Sequence, residues 1–410
     1  MSNETFEVEI VAMANGGSGI ARHNGRTVFI PQVIPGERVE ARITQDKGKV
    51  LFAEGVRLLE ASADRVFPRC AHFGKACCAA WQHIEYQAQL LLKQDVLADQ
   101  LGRIGELSDE QVERVLRPVM ASPQEWGYNH HMTLQAAGND MGLAAADGRV
   151  LPLRECHLLH PELWALYQSF DLELEGLKRL KLQIGSNGAH MLILTMANDE
   201  APELETDMAT SVNMLLEDNE PMNLIGDSHS LYVVGERRFR VTAGSFFRAN
   251  VSQLENLVGV VLDGLALTGS ETVLDLYAGV GLFSAFIAPQ ASLVTLVESY
   301  PPAVTDADEN LQDFEHIDII EGSVEEALDE LDERYDAALL DPPGSGLSVD
   351  VIDLLSEHQI PRLVYVSSDP ATLARDAKRL AKQGYTLKNV QPIDLAPQTY
   401  YVDSVAVFER

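Results

Sequence analysis

At 410 residues, 46% of them hydrophobic, the chain has room for two to four domains with packed cores. Its 31 Lys and Arg face 62 Asp and Glu, and this formal charge of −31 argues against nonspecific gripping of a polyphosphate by the surface as a whole. No apolar run reaches about 18 residues, and Met1-Ser2-Asn3-Glu4 opens neither a basic nor an apolar segment, so a soluble, cytoplasmic protein with no membrane association is expected.

Residues 5–60 read as a small all-β module. Phe6-Glu7-Val8-Glu9-Ile10 alternates at period two, Gly16-Gly17-Ser18-Gly19 turns, Thr27 to Ile30 is a second strand and Pro35-Gly36 turns again. Short strands with glycine turns suggest an OB-like barrel. Residues 1–50 carry six Lys and Arg against six Asp and Glu, so the whole acidic excess lies downstream. Arg22, Arg26, Arg38, Arg42, Lys47 and Lys49 form a candidate RNA path, although charges that merely solubilise a small barrel read the same way.

Cys70, Cys77 and Cys78 follow, near His72 and His83, with Cys156 far downstream. Four cysteines in so long a chain make no disulfide framework. Iron–sulfur or zinc ligation and plain core thiols both remain open, and adjacent Cys77 and Cys78 diverge too much to serve one centre easily. Leu90, Leu91, Val96, Leu97 and Leu101 give Tyr86 to about Gly105 a helical period. Residues 125–240 are strand-rich, around Met132, Met191, Leu231 and Phe239, with a helix from Pro161 to Phe170. The acidic stretch Asn198 to Asp207 reads as a solvated loop. From about 241 strands and helices alternate, with strands near 272–276, 293–297, 316–320, 336–340, 363–367, 386–391 and 404–408. Such alternation predicts an α/β fold whose largely parallel sheet is covered on both faces.

Within that sheet, a buried strand (Val273, Leu274, Leu276) runs into a turn containing Gly279 and Gly281, where a backbone can approach a ligand closely. Ser284 stands where a dinucleotide fingerprint has its third glycine, and Asp275 lies inside the first strand. An acid there suits a cationic ligand such as the sulfonium and amino groups of S-adenosylmethionine, and Glu298, ending the next strand, offers a carboxylate to ribose hydroxyls. A tight strand–helix turn with no ligand is the other reading. Ligands of such sheets bind beyond the carboxyl ends of the strands, where Asp275 to Gly281, Glu298, Asp341-Pro342-Pro343 and Ser367-Ser368 fall.

Gly16 to Arg22, Ile34 to Glu37, Trp126-Gly127-Tyr128-Asn129, Gly244-Ser245-Phe246-Phe247, Asp275 to Gly281, Asp341-Pro342-Pro343 and Pro370 to Asp376 stand in one order. Through them the chain resembles the RNA uracil-5-methyltransferase family essentially end to end. The resemblance implies an N-terminal TRAM domain (1–62), a cysteine-motif segment and mixed α+β central domain (63–240), and a Rossmann-like class I methyltransferase domain (241–410) on which the helix near 86–105 packs. It implies an S-adenosylmethionine pocket lined by Tyr277, Leu282, Glu298, Ser323 and Asp341, a tRNA or rRNA partner, and a monomer. The family adds a cysteine to carbon 6 of uracil and removes the carbon-5 proton with a glutamate. Here the corresponding positions are Ser368 and Asp403. The glutamine of a Ser-Phe-Phe-Gln motif is Arg248, a histidine near the base is Tyr401, and the arginine after Asp-Pro-Pro is Gly344. Of a 4Fe-4S motif only Cys70 and Cys156 stand in register, with Cys77 and Cys78 shifted into glycine positions. The resemblance thus implies a methyltransferase whose 5-methyluridine chemistry is diverged or lost, the alternatives being a noncatalytic RNA- or cofactor-binding paralogue and a methyltransferase for another acceptor.

Overall fold

The computed structural model describes residues 5–75, 78, 80–145 and 148–410. In the first module, Thr5–Glu9 pairs with Arg38–Arg42 at one edge of a six-stranded sheet, while Ala12–Met13 pairs with Gly19–Ile20 at the other. One run of chain therefore joins both edges and closes the expected barrel around Val8, Ile10, Val28, Ile30 and Leu51, leaving few unpaired edge groups. Glu37 is fully buried, accepts from Ile34 N at 2.9 Å and pairs with Arg65 at 2.7 Å, which ties the barrel to the cysteine-bearing segment.

The central sheet has seven strands, with His131–Ala137, Leu177–Ile184, His190–Met196 and Thr210–Leu215 inside it and the helix Pro161–Ser169 packed against it through Leu163 and Leu166. The acidic stretch is not all loop. Leu204–Thr206 pairs antiparallel with Phe170–Leu172, because Leu204 packs on the central core and draws its neighbours into a ladder.

The C-terminal sheet holds β1 (Thr272–Leu276), β2 (Leu293–Glu298), β3 (Ile317–Glu321), β4 (Ala337–Leu340), β5 (Arg362–Ser367), β6 (Thr386–Ile393) and β7 (Asp403–Glu409). Their order is 3-2-1-4-5-7-6, with β7 antiparallel to β5 and β6. The apolar runs of β1, β4 and β5 are buried on both faces, as a parallel sheet between helical layers requires. One face is covered by Leu254–Leu265 and by the hairpin His229–Val234/Arg237–Thr242, which inserts Tyr232, Val234, Phe239 and Val241. The boundary expected at 240/241 thus falls inside a strand that belongs to the C-terminal body. On the other face the helix Tyr86–Arg103 places Leu97 and Leu101 in one core with Leu373, Ala374 and Ala377 of the helix Pro370–Lys382. Leu116 and Met120 then bridge to Val390 and Ile393 of β6.

Candidate functional site

The carboxyl ends of β1, β2, β4 and β5 share one edge, and β7, running the other way, begins there: Ser367 of β5 is paired with Ser404. This topology brings Asp275, Glu298, Asp341, Ser368 and Asp403 to one rim although 128 positions separate the first from the last. At the cofactor end Tyr277 has φ +62°, a left-handed conformation costing a non-glycine residue on the order of 1–2 kcal/mol, and it starts the turn. Gly279 (φ +57°) has nothing within 4 Å of the place a Cβ would take, so its flank is open to a ligand. Gly281 (φ +78°) shares the left-handed backbone and has a further reason to be glycine: a Cβ there would lie 2.9 Å from Leu311, so it also serves close packing of the helix Pro301–Leu311. Leu282 is buried in the core behind the turn.

Glu298 accepts from Gly279 N at 2.9 Å and from Ser299 N and Tyr300 N at 2.8 Å each, so its carboxylate is fixed beside the turn. Ser323 caps the helix Val324–Glu330 and exchanges hydrogen bonds with Glu326, which assigns its hydroxyl to the helix end. Asp275 is fully buried, accepts from Ser284 Oγ at 2.6 Å through Oδ2, and leaves Oδ1 without a partner among the described residues. Burial pushes its carboxyl up to about 7, with the hydrogen bond from Ser284 opposing and the charge of Asp341 adding. An orphaned acid, an open glycine flank and a fixed carboxylate fit a cationic nucleoside such as S-adenosylmethionine.

A pH dependence follows. The native Asp275 carboxyl holds its proton more tightly than the unfolded chain does, so stability from this group is full below about pH 4 and is lost as pH rises to about 7. The uncharged isostere Asp275→Asn is expected to flatten that fall by on the order of 2–4 kcal/mol. Urea titrations across this pH range read it, and an unchanged slope would show an ordinary carboxyl.

At the acceptor end Arg248 donates to both carboxylate oxygens of Asp341, at 2.9 and 2.7 Å, and lies over the rings of Phe246 and Phe283. The arginine thus pairs with the acid, neutralising the charge at the end of β4. Asp306 holds the approach to Arg248 in place by accepting from Thr242 N and Thr242 Oγ1 at 2.6 Å and Ser245 Oγ at 3.0 Å. Beyond Arg248 lies a cleft of about 600 Å³ lined by Asn15, Gly16, Gly344, Ser368, Tyr401 and Asp403 among others. Asn15 and Gly16 come from the barrel, which composition and spacing give no reason to place there. Ser368 is exposed in this cleft, while Asp403 is 9% exposed and makes no hydrogen bond through its carboxylate among the described residues. Burial pushes the Asp403 carboxyl up to about 6, with Arg248 and Lys93 opposing.

The wall of the cleft, residues 394–402, is clamped from three sides. A Cβ on Gly17 of the barrel would lie 2.7 Å from Tyr400; Trp81 N donates to Gln398 O at 3.0 Å and Trp81 Nε1 to Gly17 O at 3.1 Å; Gln89 and Lys93 of the helix Tyr86–Arg103 hold Gln398 and Asp394. Lys93 was legible only as a lysine set among Leu90, Leu97 and Leu101 on the apolar face of that helix.

Cys77 lies outside the described residues. Cys70 Sγ is 3.6 Å from His72 Nδ1, Cys78 and Cys156 pack against the central core, and burial raises the Cys156 thiol. Among the described residues no three His, Cys, Asp or Glu side chains are placed to hold a metal ion. In the barrel, Arg26, Arg38 and Arg42 are paired with Asp46, with Glu7 and Glu60, and with Glu54, and Lys47 lies over Phe52, so half of the candidate basic path is matched by its own acids. Among the described residues no helix is long and apolar enough to cross a membrane.

A mostly parallel sheet in this order, with a glycine turn after its first strand and an acid closing its second, is the fold of the S-adenosylmethionine-dependent methyltransferases. Residues 1–56 match the TRAM domain model, and residues 228–410 match that of the tRNA (uracil-5-)-methyltransferases. The chain is 30% identical to an uncharacterized RNA methyltransferase of Halalkalibacterium halodurans across 99% of its own length and 97% of that protein. It is also 30% identical to the 23S rRNA (uracil(1939)-C(5))-methyltransferase RlmD of Shewanella sediminis across 98% and 95%. The crystal structure of Pyrococcus abyssi tRNA (uracil-54, C5)-methyltransferase in complex with S-adenosyl-L-homocysteine has the same fold, with a TM-score of 0.74 over 98% of this chain and 99% of that one at 21% identity. The chain belongs to the S-adenosylmethionine-dependent RNA uracil-5-methyltransferase family.

Proposed function

We propose that this chain is a cytoplasmic monomer that binds S-adenosylmethionine and RNA and does not make 5-methyluridine through a covalent enzyme adduct. The observation that carries the proposal is the setting of Ser368. Its hydroxyl stands in a cleft whose described lining contains no histidine, lysine or arginine, so nothing there can make it an attacking alkoxide. Asp403, a weak base at a pKa of about 6, is far too acidic for that task. Arg248 is committed to Asp341 through both carboxylate oxygens.

On this reading Asp275, Tyr277, Gly279 and Glu298 hold the cofactor, which when bound supplies an electrophilic methyl group. Asp275 faces its cationic end, and Glu298, already fixed by three backbone N–H groups, faces its sugar. The test has two parts. Titration calorimetry with S-adenosylmethionine is expected to give micromolar binding. Incubation of the protein with transfer and ribosomal RNA and methyl-labelled cofactor, followed by nucleoside analysis, is expected to give no 5-methyluridine. Stoichiometric 5-methyluridine would refute the reading.

A further inference from the structure

The central sheet has one covered face and one that is partly open. Leu134, Leu180, Leu182, Leu192 and Met214 lie on the side packed by the helix Pro161–Ser169. Their neighbours in each strand point the other way. At one end of that second face Met191 and Ile193 pack against Ala243, at the start of the segment that ends in Arg248, and His131 Nε2 donates to Phe247 O at 2.8 Å. Beyond this cover Thr133, Gln135 and Arg179 are exposed, and Lys181 is half buried between Thr133 and Ile193, its partners in the ladder. The charge of this face is opposite to that of the chain. The four adjacent strands His131–Ala137, Leu177–Ile184, His190–Met196 and Thr210–Leu215 contain no Asp or Glu, in a chain with twice as many acids as bases. Neither Lys181 nor Arg179 has a hydrogen-bond or ion-pair partner for its side chain among the described residues, whereas Arg26, Arg38 and Arg42 of the barrel are matched by acids. Burial pushes the pKa of the Lys181 ammonium down to about 8. A half-buried ammonium without a counterion costs folding stability, and no group within the chain offsets that cost.

We infer that the open face of the central sheet docks the RNA backbone, with Lys181 and Arg179 each holding a phosphate. The inference rests on the RNA-binding reading above and places that RNA on a surface outside the cleft. Residues two apart on one strand stand about 7 Å apart, which matches the step between neighbouring phosphates of an extended RNA strand. Thr133, Gln135 and Thr195 add uncharged donors for phosphate and sugar oxygens. Such contacts fix the position of a strand without reading its bases. The face ends at the segment that carries Arg248 to Asp341, so a strand lying on it is led toward the rim where the carboxyl ends of the parallel strands gather.

The test is fluorescence anisotropy of the full chain with two end-labelled probes, oligo(U) of about 12 nucleotides and an unmodified transfer RNA transcript, across a salt series. Lys181→Met is expected to weaken both about tenfold and to lower the slope of log K against log salt by about 0.7–0.9, and Arg179→Gln to do the same. Lys388→Met removes a cation that Glu409 matches at 3.6 Å, and is expected to change neither quantity. In urea Lys181→Met is expected to be at least as stable as the unaltered protein, because methionine fills the volume of the stem and removes an unpaired charge, so a loss of RNA binding is not a loss of fold. Unchanged affinity and salt slope in both Lys181→Met and Arg179→Gln overturns the docking face alone, as does an equal loss in Lys388→Met. Absence of binding of both probes by the unaltered protein removes the RNA reading as well.

Discussion

Lys93→Met is expected to lower the free energy of unfolding by about 3–5 kcal/mol. Lys93 Nζ donates to Asp394 Oδ1 at 2.7 Å and to Ala396 O at 3.0 Å, and both charged side chains are fully buried. Taking two charges out of water is expensive, and only their mutual attraction and hydrogen bonds offset it. Methionine fills the volume of the lysine stem but leaves the carboxylate of Asp394 buried without a counterion. The double variant Lys93→Met/Asp394→Leu removes both charges and is expected to recover much of the loss, since a well-packed apolar pair is often as stable as a buried ion pair. Urea unfolding of the four proteins of this cycle reads the coupling directly. A loss below about 1 kcal/mol in the single variant would mean that water reaches the pair, as it does surface ion pairs of that strength. The same lysine also opposes the burial that raises the Asp403 carboxyl, so its removal should move the titration of the cleft upward in pH.

Glu298→Ala is expected to weaken S-adenosylmethionine on the order of 100-fold, because a hydrogen bond to a charged group contributes about 1.5–3 kcal/mol and this side chain does two things. It presents a carboxylate at the end of β2, and it anchors the glycine turn through Gly279 N. Glu298→Gln keeps an acceptor oxygen and the shape, and is expected to fall between the two proteins. Titration calorimetry separates them. Affinity unchanged in Glu298→Ala would make the glycine turn a structural corner only, and would move the search for function to the barrel and its partners.

The architecture was largely readable from the chain because buried parallel strands are nearly continuous apolar runs: every expected C-terminal strand lies within a residue or two of its observed limits. The gathering of Asp275, Glu298 and Asp341 at one rim was readable because it follows from position along parallel strands. The site was not readable where the role depends on what lies across space. Gly279 and Gly281 look alike in sequence, yet one flanks open space and the other meets Leu311. Ser323 is a helix cap, a role its Glu326 three residues on could have signalled. Whether Arg248 would pair with Asp341 or stand against a cation depended on geometry that no spacing contains. The contribution of Asn15 and Gly16 to the cleft needs the barrel placed against Tyr400, a contact between positions almost 400 residues apart. Expected and observed structure differ at Leu204–Thr206 because tertiary pairing with Phe170–Leu172 outweighs local polarity.

The three-sided clamp on residues 394–402 limits how such a chain can be rearranged. Here Gly17, Trp81 and Gln89 are fastened to the same short stretch that carries Tyr400 and Tyr401. A graft that brings a side chain at position 17, or a different residue opposite Trp81, would reshape the wall of the cleft beside Ser368. The barrel, the cysteine-bearing segment and residues 394–402 therefore form one fitted set, and chimaeras should be cut on either side of that set rather than through it.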